Sequence, residues 1–351
     1  MRRALFLLAT VFGLCIGYRF LSVIVPASGA FTEFQSKAVE QCHAVEVAPG
    51  PEDIEIDHDT GWAYISAAHR REGEQDKRGG LYRLDLKDPN ARPVRLLDGV
   101  PGEFSPHGLS IWYGQNAERR LFVINHLKHE DVVEIFDIDA DHTLTHRETV
   151  RFDEMYSPND VVAAGARQFY VSNDRRYTEG LGAMLELYLG LPLADIAYFD
   201  GEVGRTAASG FSYANGINIS KDGKTLYVAE VIGRNINVFN RDPVTGAVSG
   251  RRRFAAKTAL DNIDIGTDGY LYIGGHPNLL AFAKHTKSAH EASPSQVVRM
   301  DPDTGKVETV FMSVKGEING SATGAFWNGH LLIGGVYDSH ILWCTDLPQG
   351  G

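Results

Sequence analysis

Ala214–Glu230 reads ANGINISKDGKTLYVAE, and this pattern decides the fold. A pair that contains a polar residue opens the segment, and a short apolar strand follows it. Asp222 and Gly223 then supply a tight turn, because Asp-Gly is among the strongest hairpin signals. A second strand rich in Leu, Tyr and Val completes the unit. The segment therefore predicts two adjacent antiparallel strands with Asn215 at the start of the first.

The same plan occurs six times along the chain. Each copy has a polar residue before the first strand, a turn with Gly, Asn or Asp, and a second apolar strand. The residues that open the copies lie 54, 52, 56, 47 and 59 positions apart: Asp53, His107, Asn159, Asn215, Asn262 and Ser321. A repeat of about 50 residues with a hairpin in every unit is typical of a β-propeller with four-stranded blades. The sequence thus predicts an all-β fold, a six-bladed β-propeller.

Two features can close the predicted ring. The stretch Ala44–Ala48 precedes the first copy and can add a strand to the last blade. Cys42 and Cys344 lie near the two ends of the repeat region, and in an oxidising compartment they would pair. Two separate buried thiols are the alternative. Gly182–Leu191 is the one helix-like insertion, and we expect it to lie over one face of the propeller.

The composition of the 351 residues excludes several classes of protein. With 43% hydrophobic and 23% charged residues, the chain is neither disordered nor a multi-pass membrane protein. The net charge is −11 and no long basic run occurs, which argues against nucleic acid as a partner. No P-loop, Gly-X-Ser-X-Gly elbow or CxxC pair is present in the sequence. Nucleotide binding, a serine nucleophile and a cysteine-built zinc site therefore have no support.

Residues 1–30 have the pattern of a secretory signal peptide or of an uncleaved signal anchor. Two arginines precede the stretch Ala4–Val25, which has 22 residues with one charge inside it. Such a length can span a membrane, and the small residues Ser28–Ala30 can form a cleavage site. Cleavage and retention both stay open, and a buried N-terminal helix is a third alternative. With a signal or an anchor, the propeller domain 31–351 lies outside the cytoplasm, where it is secreted, periplasmic or anchored to a membrane.

Equivalent positions of propeller repeats meet around the central channel. In this chain most of these positions carry side chains with carboxylate or amide oxygens. The residues at this position are Glu52, Asp53, His107, Asn159, Asp160, Asn215, Asp261 and Asn262. Four carboxylates around one axis repel each other unless a cation compensates them. Carboxylate and amide oxygens are the ligands that Ca²⁺ prefers, and four acidic groups can balance two such ions. The alternative is that these residues only cap turns at the starts of strands.

Histidines accompany this set of oxygen ligands. His107 shares its position in the repeat, and His126 follows the second strand of the same copy. Two imidazoles beside a metal could form a relay that takes a proton from water. The alternative for each is a hydrogen-bonded structural histidine. His276 ends the second strand of the fifth copy and can line the same mouth of the channel.

Seven motifs, in order, resemble the paraoxonase/arylesterase family. The likeness runs from Cys42 to Cys344 and includes the helix-like MLELYLGL at 184–191. The motifs are PEDIEI at 51–56, SPHGLS at 105–110, VINH at 123–126, PNDVVA at 158–163, ANGINIS at 214–220, DNIDI at 261–265 and GGHPN at 274–278. One departure is Gly275, which stands where paraoxonases often carry a cysteine. The loop after Ala67 and the segment 175–183 are less alike, so the resemblance does not extend to substrate preference.

The resemblance implies a six-bladed propeller with two calcium ions, one catalytic and one structural. It assigns the catalytic calcium to Glu52, Asn159, Asn215, Asp261 and Asn262. It assigns the structural calcium to Asp53, Asp160 and the backbone carbonyl of Leu109. It makes His107 and His126 a general-base dyad, and it pairs Cys42 with Cys344 in a disulfide that joins the two ends of the propeller.

The function that the resemblance implies is hydrolysis of carboxylic esters, mainly aryl esters and lactones, with weak phosphotriesterase activity as an addition. Water would attack a calcium-bound carbonyl, His107 would take the proton and His126 would polarise His107; Glu52 is the alternative base. Four other interpretations stay open. They are a gluconolactonase-like propeller, a strictosidine-synthase-like propeller, a non-catalytic scaffold, and a calcium-stabilised protein that binds apolar ligands at a membrane.

Overall fold

A computed structural model of the chain describes residues 2–29, 31–71, 79–96 and 104–345. Within these ranges, 24 strands form six antiparallel sheets of four strands each. The first strand of each sheet contacts the first strands of both neighbouring sheets, so the six sheets close into a ring around a channel. The predicted six-bladed β-propeller is therefore confirmed.

The first strand along the chain is β1 (Cys42–Glu46), which belongs to the last blade. Blade 1 consists of β2 (Pro51–Asp57), β3 (Trp62–Ala67), β4 (Gly80–Asp85) and β5 (Val94–Leu96). Blade 2 consists of β6 (Pro106–Tyr113), β7 (Arg119–His126), β8 (Asp131–Ile138) and β9 (Leu144–Val150). Blade 3 consists of β10 (Pro158–Ala163), β11 (Phe169–Asn173), β12 (Ala194–Phe199) and β13 (Gly204–Phe211).

The remaining three blades follow the same order, with the innermost strand first. Blade 4 consists of β14 (Ala214–Ile219), β15 (Thr225–Glu230), β16 (Asn235–Arg241) and β17 (Val248–Ala255). Blade 5 consists of β18 (Ala259–Ile265), β19 (Leu271–His276), β20 (Ser295–Met300) and β21 (Val307–Ser313). Blade 6 consists of β22 (Ser321–Trp327), β23 (His330–Gly335), β24 (His340–Cys344) and β1.

Four α-helices and three other helical turns are present among the described residues. They are α1 (Arg2–Arg19), α2 (Val25–Ser28), α3 (Gly180–Leu189), α4 (Leu279–His285), a π-helical turn at Phe20–Ile24 and 3₁₀ turns at Val39–Gln41 and Gln115–Ala117. The predicted helix of the 182–191 insertion is thus present and starts two residues earlier. No helix among the described residues is both long enough and apolar enough to cross a membrane. The signal peptide or anchor over residues 1–30 stays a prediction, as does the domain boundary at residue 31.

The hydrophobic core of this ring is divided among the blade interfaces. Six buried apolar clusters occur among the described residues, one between each pair of neighbouring blades. Between blades 2 and 3, for example, the rings of Phe122 and Phe169 are fully buried with their centroids 5.8 Å apart. Burial of one such side chain contributes about 1.5–3 kcal/mol. The apolar residues in the strands of each repeat therefore hold one blade against the next.

The two ends of the propeller meet in blade 6. Strand β1 pairs with β24 in the register that places Cys42 opposite Cys344, and the two cysteines form a disulfide across 302 residues of sequence. The closing strand begins at Cys42 rather than at Ala44, because the cysteine pair itself belongs to the strand ladder. The expected disulfide and the expected closure of the ring are both confirmed.

Every innermost strand has a shift in register at its first residues. The shifts lie at Pro51/Asp53, Pro106/Leu109, Pro158/Asp160, Ala214/Ile217, Leu260/Ile263 and Ser321/Thr323. Such bulges change the direction of side chains and are common beside active sites. Two of them contain glycines that the packing requires. A Cβ on Gly108 would lie 2.4 Å from Asp160 Oδ1, and one on Gly216 would lie 2.4 Å from the carbonyl oxygen of Asp261.

Candidate active site

The bulges bring the predicted channel residues together at one end of the innermost strands. The seven carboxylate and amide side chains of the prediction and the side chain of Leu109 are at most 7% exposed. His107 is partly exposed at the same end. We call Glu52, Asn159, Asn215, Asp261 and Asn262 the upper set, and we call Asp53 and Asp160 the lower set.

The upper set has buried oxygens that lack hydrogen-bond donors. Asn262 donates from Nδ2 to Glu52 Oε1 at 3.0 Å. Three amide oxygens of this set have no hydrogen-bond partner among the described residues: Asn159 Oδ1, Asn215 Oδ1 and Asn262 Oδ1. Each unpaired buried polar atom costs about 1–3 kcal/mol. Three such acceptors beside the Glu52 carboxylate are poorly explained by turn capping, and they fit a cation that takes oxygen ligands.

The lower set is bonded differently. Asp53 accepts the backbone N–H of Ile54 at 2.9 Å and that of Leu109 at 2.7 Å. Asp160 accepts the N–H of Val161 at 2.7 Å and that of Ile217 at 2.8 Å. Each carboxylate therefore joins its own blade to the next one. The Leu109 contact shown is through its N–H, and a ligand role for its carbonyl stays a prediction.

Burial raises the pKa of both lower carboxyl groups well above the ordinary value. Repulsion from Glu52 adds to the shift of Asp53, and repulsion from Asp53 adds to that of Asp160. Burial also raises the pKa of Asp261, while its hydrogen bond to His276 opposes the shift. Ionising these groups together therefore requires a compensating positive charge in the channel.

The donor set suits calcium rather than a metal that needs a cluster of charged ligands. Among the described residues, no three His, Cys, Asp or Glu side chains form a metal-holding group by themselves. The upper set offers three amide oxygens in addition to the carboxylates of Glu52 and Asp261. Mixed amide and carboxylate oxygen coordination is typical of Ca²⁺ and unsuited to zinc.

The two predicted histidines are in direct contact. His107 Nδ1 and His126 Nε2 are 2.9 Å apart, and His107 Nε2 lies 3.4 Å from Glu52 Oε2. Burial lowers the pKa of His126, although its hydrogen bond to Asp131 opposes the shift. Burial also disfavours the charged form of Glu52, but His107, Arg70 and Asn262 outweigh it and lower the pKa of Glu52 to about 2. The arrangement places the His107 imidazole next to a carboxylate that stays ionised.

Three further residues belong to the site. His276 is buried against Asp261, with its Nε2 2.7 Å from Asp261 Oδ2 and its ring stacked on Phe282, and its place at the mouth of the channel stays a prediction. Arg70 lies 4.0 Å from Glu52 and donates to the carbonyl oxygen of Pro106 at 2.7 Å. Asp131 accepts from His126. Sequence reasoning missed Arg70 and Asp131; only the pairing of β7 with β8 could have indicated Asp131.

Comparison with known proteins assigns the chain to a family. The sequence model of the Arylesterase family matches residues 33–346. The chain belongs to the arylesterase family. It is 32% identical to serum paraoxonase/arylesterase 2 of Homo sapiens over 90% of this chain and 91% of that protein. It is 28% identical to serum paraoxonase/lactonase 3 of Oryctolagus cuniculus, over 90% of this chain and 92% of that protein.

Solved structures agree on the fold of this arylesterase-family chain. A luciferin-regenerating enzyme superposes with a TM-score of 0.54 at 12% identity, covering 90% of this chain and 97% of that one. At this identity the likeness concerns the fold alone. The predicted family is confirmed, and membership in it makes the chain an ester-hydrolysing enzyme, as the resemblance implied.

Proposed function

We propose that this chain is a calcium-dependent hydrolase of small carboxylic esters, with aryl esters and lactones as its substrates and weak activity on phosphotriesters. One observation carries the proposal: the upper set holds three unpaired buried amide oxygens next to the hydrogen-bonded pair His107 and His126. A scaffold propeller would have no use for such a costly arrangement. The charge of −11 and the absence of a basic run continue to argue against nucleic acid as a partner.

Two calcium ions are part of the proposal. The upper set would hold the catalytic ion, and the lower set, with the carbonyl of Leu109, would hold the structural one. When bound, the catalytic calcium supplies positive charge that stabilises the oxygen on which negative charge develops. The unpaired oxygens of the upper set support the first assignment. The raised pKa values of Asp53 and Asp160 support a second positive charge beside them.

The protein's own residues supply the proton transfer. Nε2 of His107 accepts a proton from water while the water oxygen bonds to the ester carbon and the carbonyl electron pair moves to the carbonyl oxygen. When the bond to the leaving oxygen breaks, the same proton passes from Nε2 to that oxygen. His126 accepts the hydrogen bond from Nδ1 of His107, and Glu52 stabilises the charged imidazole from 3.4 Å. Glu52 itself is the alternative base.

We propose that the propeller, residues 31–351, works outside the cytoplasm and that residues 1–30 direct it there and can associate it with a membrane. The disulfide between Cys42 and Cys344 supports this location, because such bonds persist in oxidising compartments. The apolar stretch Ala4–Val25 supports a targeting role for the N-terminal segment.

The test is hydrolysis of phenyl acetate and of a γ-lactone by the purified full chain. We expect activity that EDTA removes and that Ca²⁺ restores, whereas Mg²⁺ does not, since Mg²⁺ demands a smaller octahedral site. Circular dichroism after each step separates loss of the fold from loss of the metal. A folded, calcium-loaded protein that hydrolyses neither ester would contradict the proposal and favour a ligand-binding role. Activity that is indifferent to EDTA would contradict its metal dependence.

A further inference from the structure

A third group continues the hydrogen-bonded pair of histidines. His126 is the last residue of β7 and Asp131 is the first of β8, and the hairpin register pairs them directly across the turn. His126 Nδ1 and Asp131 Oδ1 are 2.6 Å apart. The backbone N–H of Leu127 donates to the carbonyl oxygen of Glu130 at 2.9 Å and closes the turn. The contact between imidazole and carboxylate is therefore built into the hairpin.

This contact determines where the protons of both imidazoles lie. A carboxylate oxygen can only accept, so Nδ1 of His126 must carry the hydrogen in the 2.6 Å contact. In a neutral imidazole the other nitrogen then has the lone pair, and Nε2 of His126 accepts from Nδ1 of His107. This leaves Nε2 of His107, on the side of Glu52, as the atom that takes up and releases the proton.

We propose that Asp131 is a positioning residue that fixes the tautomer of His126 and, through it, the orientation of the base His107. The inference rests on the proposed function, in which His107 is the base. Asp131 does not touch the ester. Without its carboxylate, His126 can place its hydrogen on Nε2 instead. Nδ1 of His107 would then have to accept that hydrogen bond, and the hydrogen of the neutral His107 ring would move to Nε2. Nε2 is the atom that has to accept the proton from water, so His107 could no longer act as the base.

The chain supplies a matched control on the same turn. Glu130 precedes Asp131, its side chain is 47% exposed, and it pairs with Arg151 at 3.1 Å instead of with a histidine. Glu130→Gln removes the same charge from the same turn and leaves the contact between His126 and Asp131 in place. Any effect of net charge alone must therefore appear in both variants.

The experiment compares full-length wild type, Asp131→Asn and Glu130→Gln in saturating calcium, with phenyl acetate as the substrate. Asp131→Asn keeps the size of the side chain, yet its amide can donate to Nδ1 and stabilise the wrong tautomer. We expect kcat to fall roughly 10- to 100-fold and KM to change less than about twofold. This loss of kcat is smaller than that expected for the fully buried aspartate of a catalytic triad, because the Asp131 side chain is 28% exposed. Glu130→Gln should retain wild-type kcat.

A second readout does not depend on activity. With ¹⁵N-labelled histidine, NMR of the imidazole nitrogens reports which one carries hydrogen, and a His126→Gln sample identifies the signal. We expect His126 of the wild type to be protonated at Nδ1, and His126 of Asp131→Asn to shift towards protonation at Nε2. A wild type with the hydrogen on Nε2, or an Asp131→Asn variant with the kcat of Glu130→Gln, overturns the proposal.

The two readouts separate failure of this inference from failure of the proposed function. Wild type without any ester hydrolysis in calcium refutes the proposed function, and the NMR result still decides whether Asp131 fixes the tautomer. An active wild type with an unaltered Asp131→Asn variant refutes only the role of Asp131. If Asp131→Asn does not fold, the wild-type tautomer alone decides: Nδ1–H supports the proposal and Nε2–H overturns it.

Discussion

The upper and lower sets lie in the same channel and both offer side-chain oxygens, but the hydrogen bonding of these oxygens differs. In the upper set, three buried amide oxygens have no donor among the described residues. In the lower set, both oxygens of Asp53 accept backbone N–H groups, and so do both oxygens of Asp160. Asn159 and Asp160 are neighbours in one strand and yet belong to different sets.

The difference indicates two tasks. Carboxylates that already accept backbone N–H groups from two blades stabilise the ring, and a cation beside them would mainly balance their charge. Unpaired oxygens contribute nothing to the fold without a ligand, so natural selection for stability alone would not retain them. This contrast supports the proposed division, in which the upper set serves the chemistry and the lower set serves the structure.

The largest effect is expected in the upper set. Asp261→Ala removes one of its two carboxylates, so we expect at least a roughly 1000-fold loss of kcat/KM on both phenyl acetate and a lactone. The measurement pairs steady-state kinetics with the calcium content of the purified protein. An Asp261→Ala protein with full activity and normal calcium content would refute the metal-centred mechanism.

A stability comparison of two adjacent residues tests the lower set. Asp160→Ala leaves the N–H groups of Val161 and Ile217 without their acceptor, so we expect calcium-free protein to lose about 2–4 kcal/mol of unfolding free energy. Asn159→Ala removes an oxygen that had no donor, so its loss should stay below about 1 kcal/mol. Urea unfolding in EDTA gives both values. Equal losses would show that the two sets do not differ.

The pH dependence of stability sharpens the same contrast. Burial raises the pKa of Asp160, so the folded protein holds this proton more tightly than the unfolded chain does. Its contribution is complete below the ordinary pKa of about 4 and is lost as the pH rises through the raised value. We therefore expect the unfolding free energy of calcium-free wild type, minus that of Asp160→Asn, to fall as the pH rises above about 4.

The subtraction isolates Asp160 from histidines that titrate in the same range. Added calcium should reduce the fall, because the bound charge favours the ionised carboxylate. A difference that rises with pH, or one that calcium leaves unchanged, would contradict the assignment of Asp160 to a buried carboxyl group that needs a cation.

The smallest effect is expected for Glu55, which lies two residues after Asp53 in β2. Glu55 accepts the N–H of Ile111 at 3.2 Å, and burial raises its pKa well above the ordinary value. Since the folded protein already favours its neutral form, Glu55→Gln should leave kcat/KM within about twofold of wild type and calcium content unchanged. A large loss of activity would extend the catalytic part of the channel beyond the upper set.

Much of the fold could be predicted from the sequence because it is local and repeated. The hairpin at Ala214–Glu230 is specified by its turn and by alternating apolar residues, and a spacing of about 50 residues multiplies it into six blades. Closure of the ring could also be predicted, because Cys42 and Cys344 lie near the two ends of the repeat region. The small errors, such as a closing strand that begins at Cys42, arise at element ends, where local patterns are weakest.

The candidate site could likewise be predicted only in part. Its residues could be placed in the channel from the repeat, because equivalent positions in a ring meet at one height. Their bonding could not be predicted. Whether Asp53 reaches the N–H of Leu109 depends on the distance between two blades, and the bulges that orient these side chains appear only when strands pair. Arg70 comes from a loop without any repeat pattern.

The sequence by itself determined the six-bladed ring, its disulfide candidates and the oxygen-rich lining of its channel, since all three follow from periodicity and residue type. Only the tertiary structure decided which oxygens are left unpaired, that His276 contacts Asp261, and that Asp131 stands opposite His126. The physical reason is that hydrogen bonding between buried groups depends on register and on approach between blades. Both are set by the packing of residues far apart in the chain.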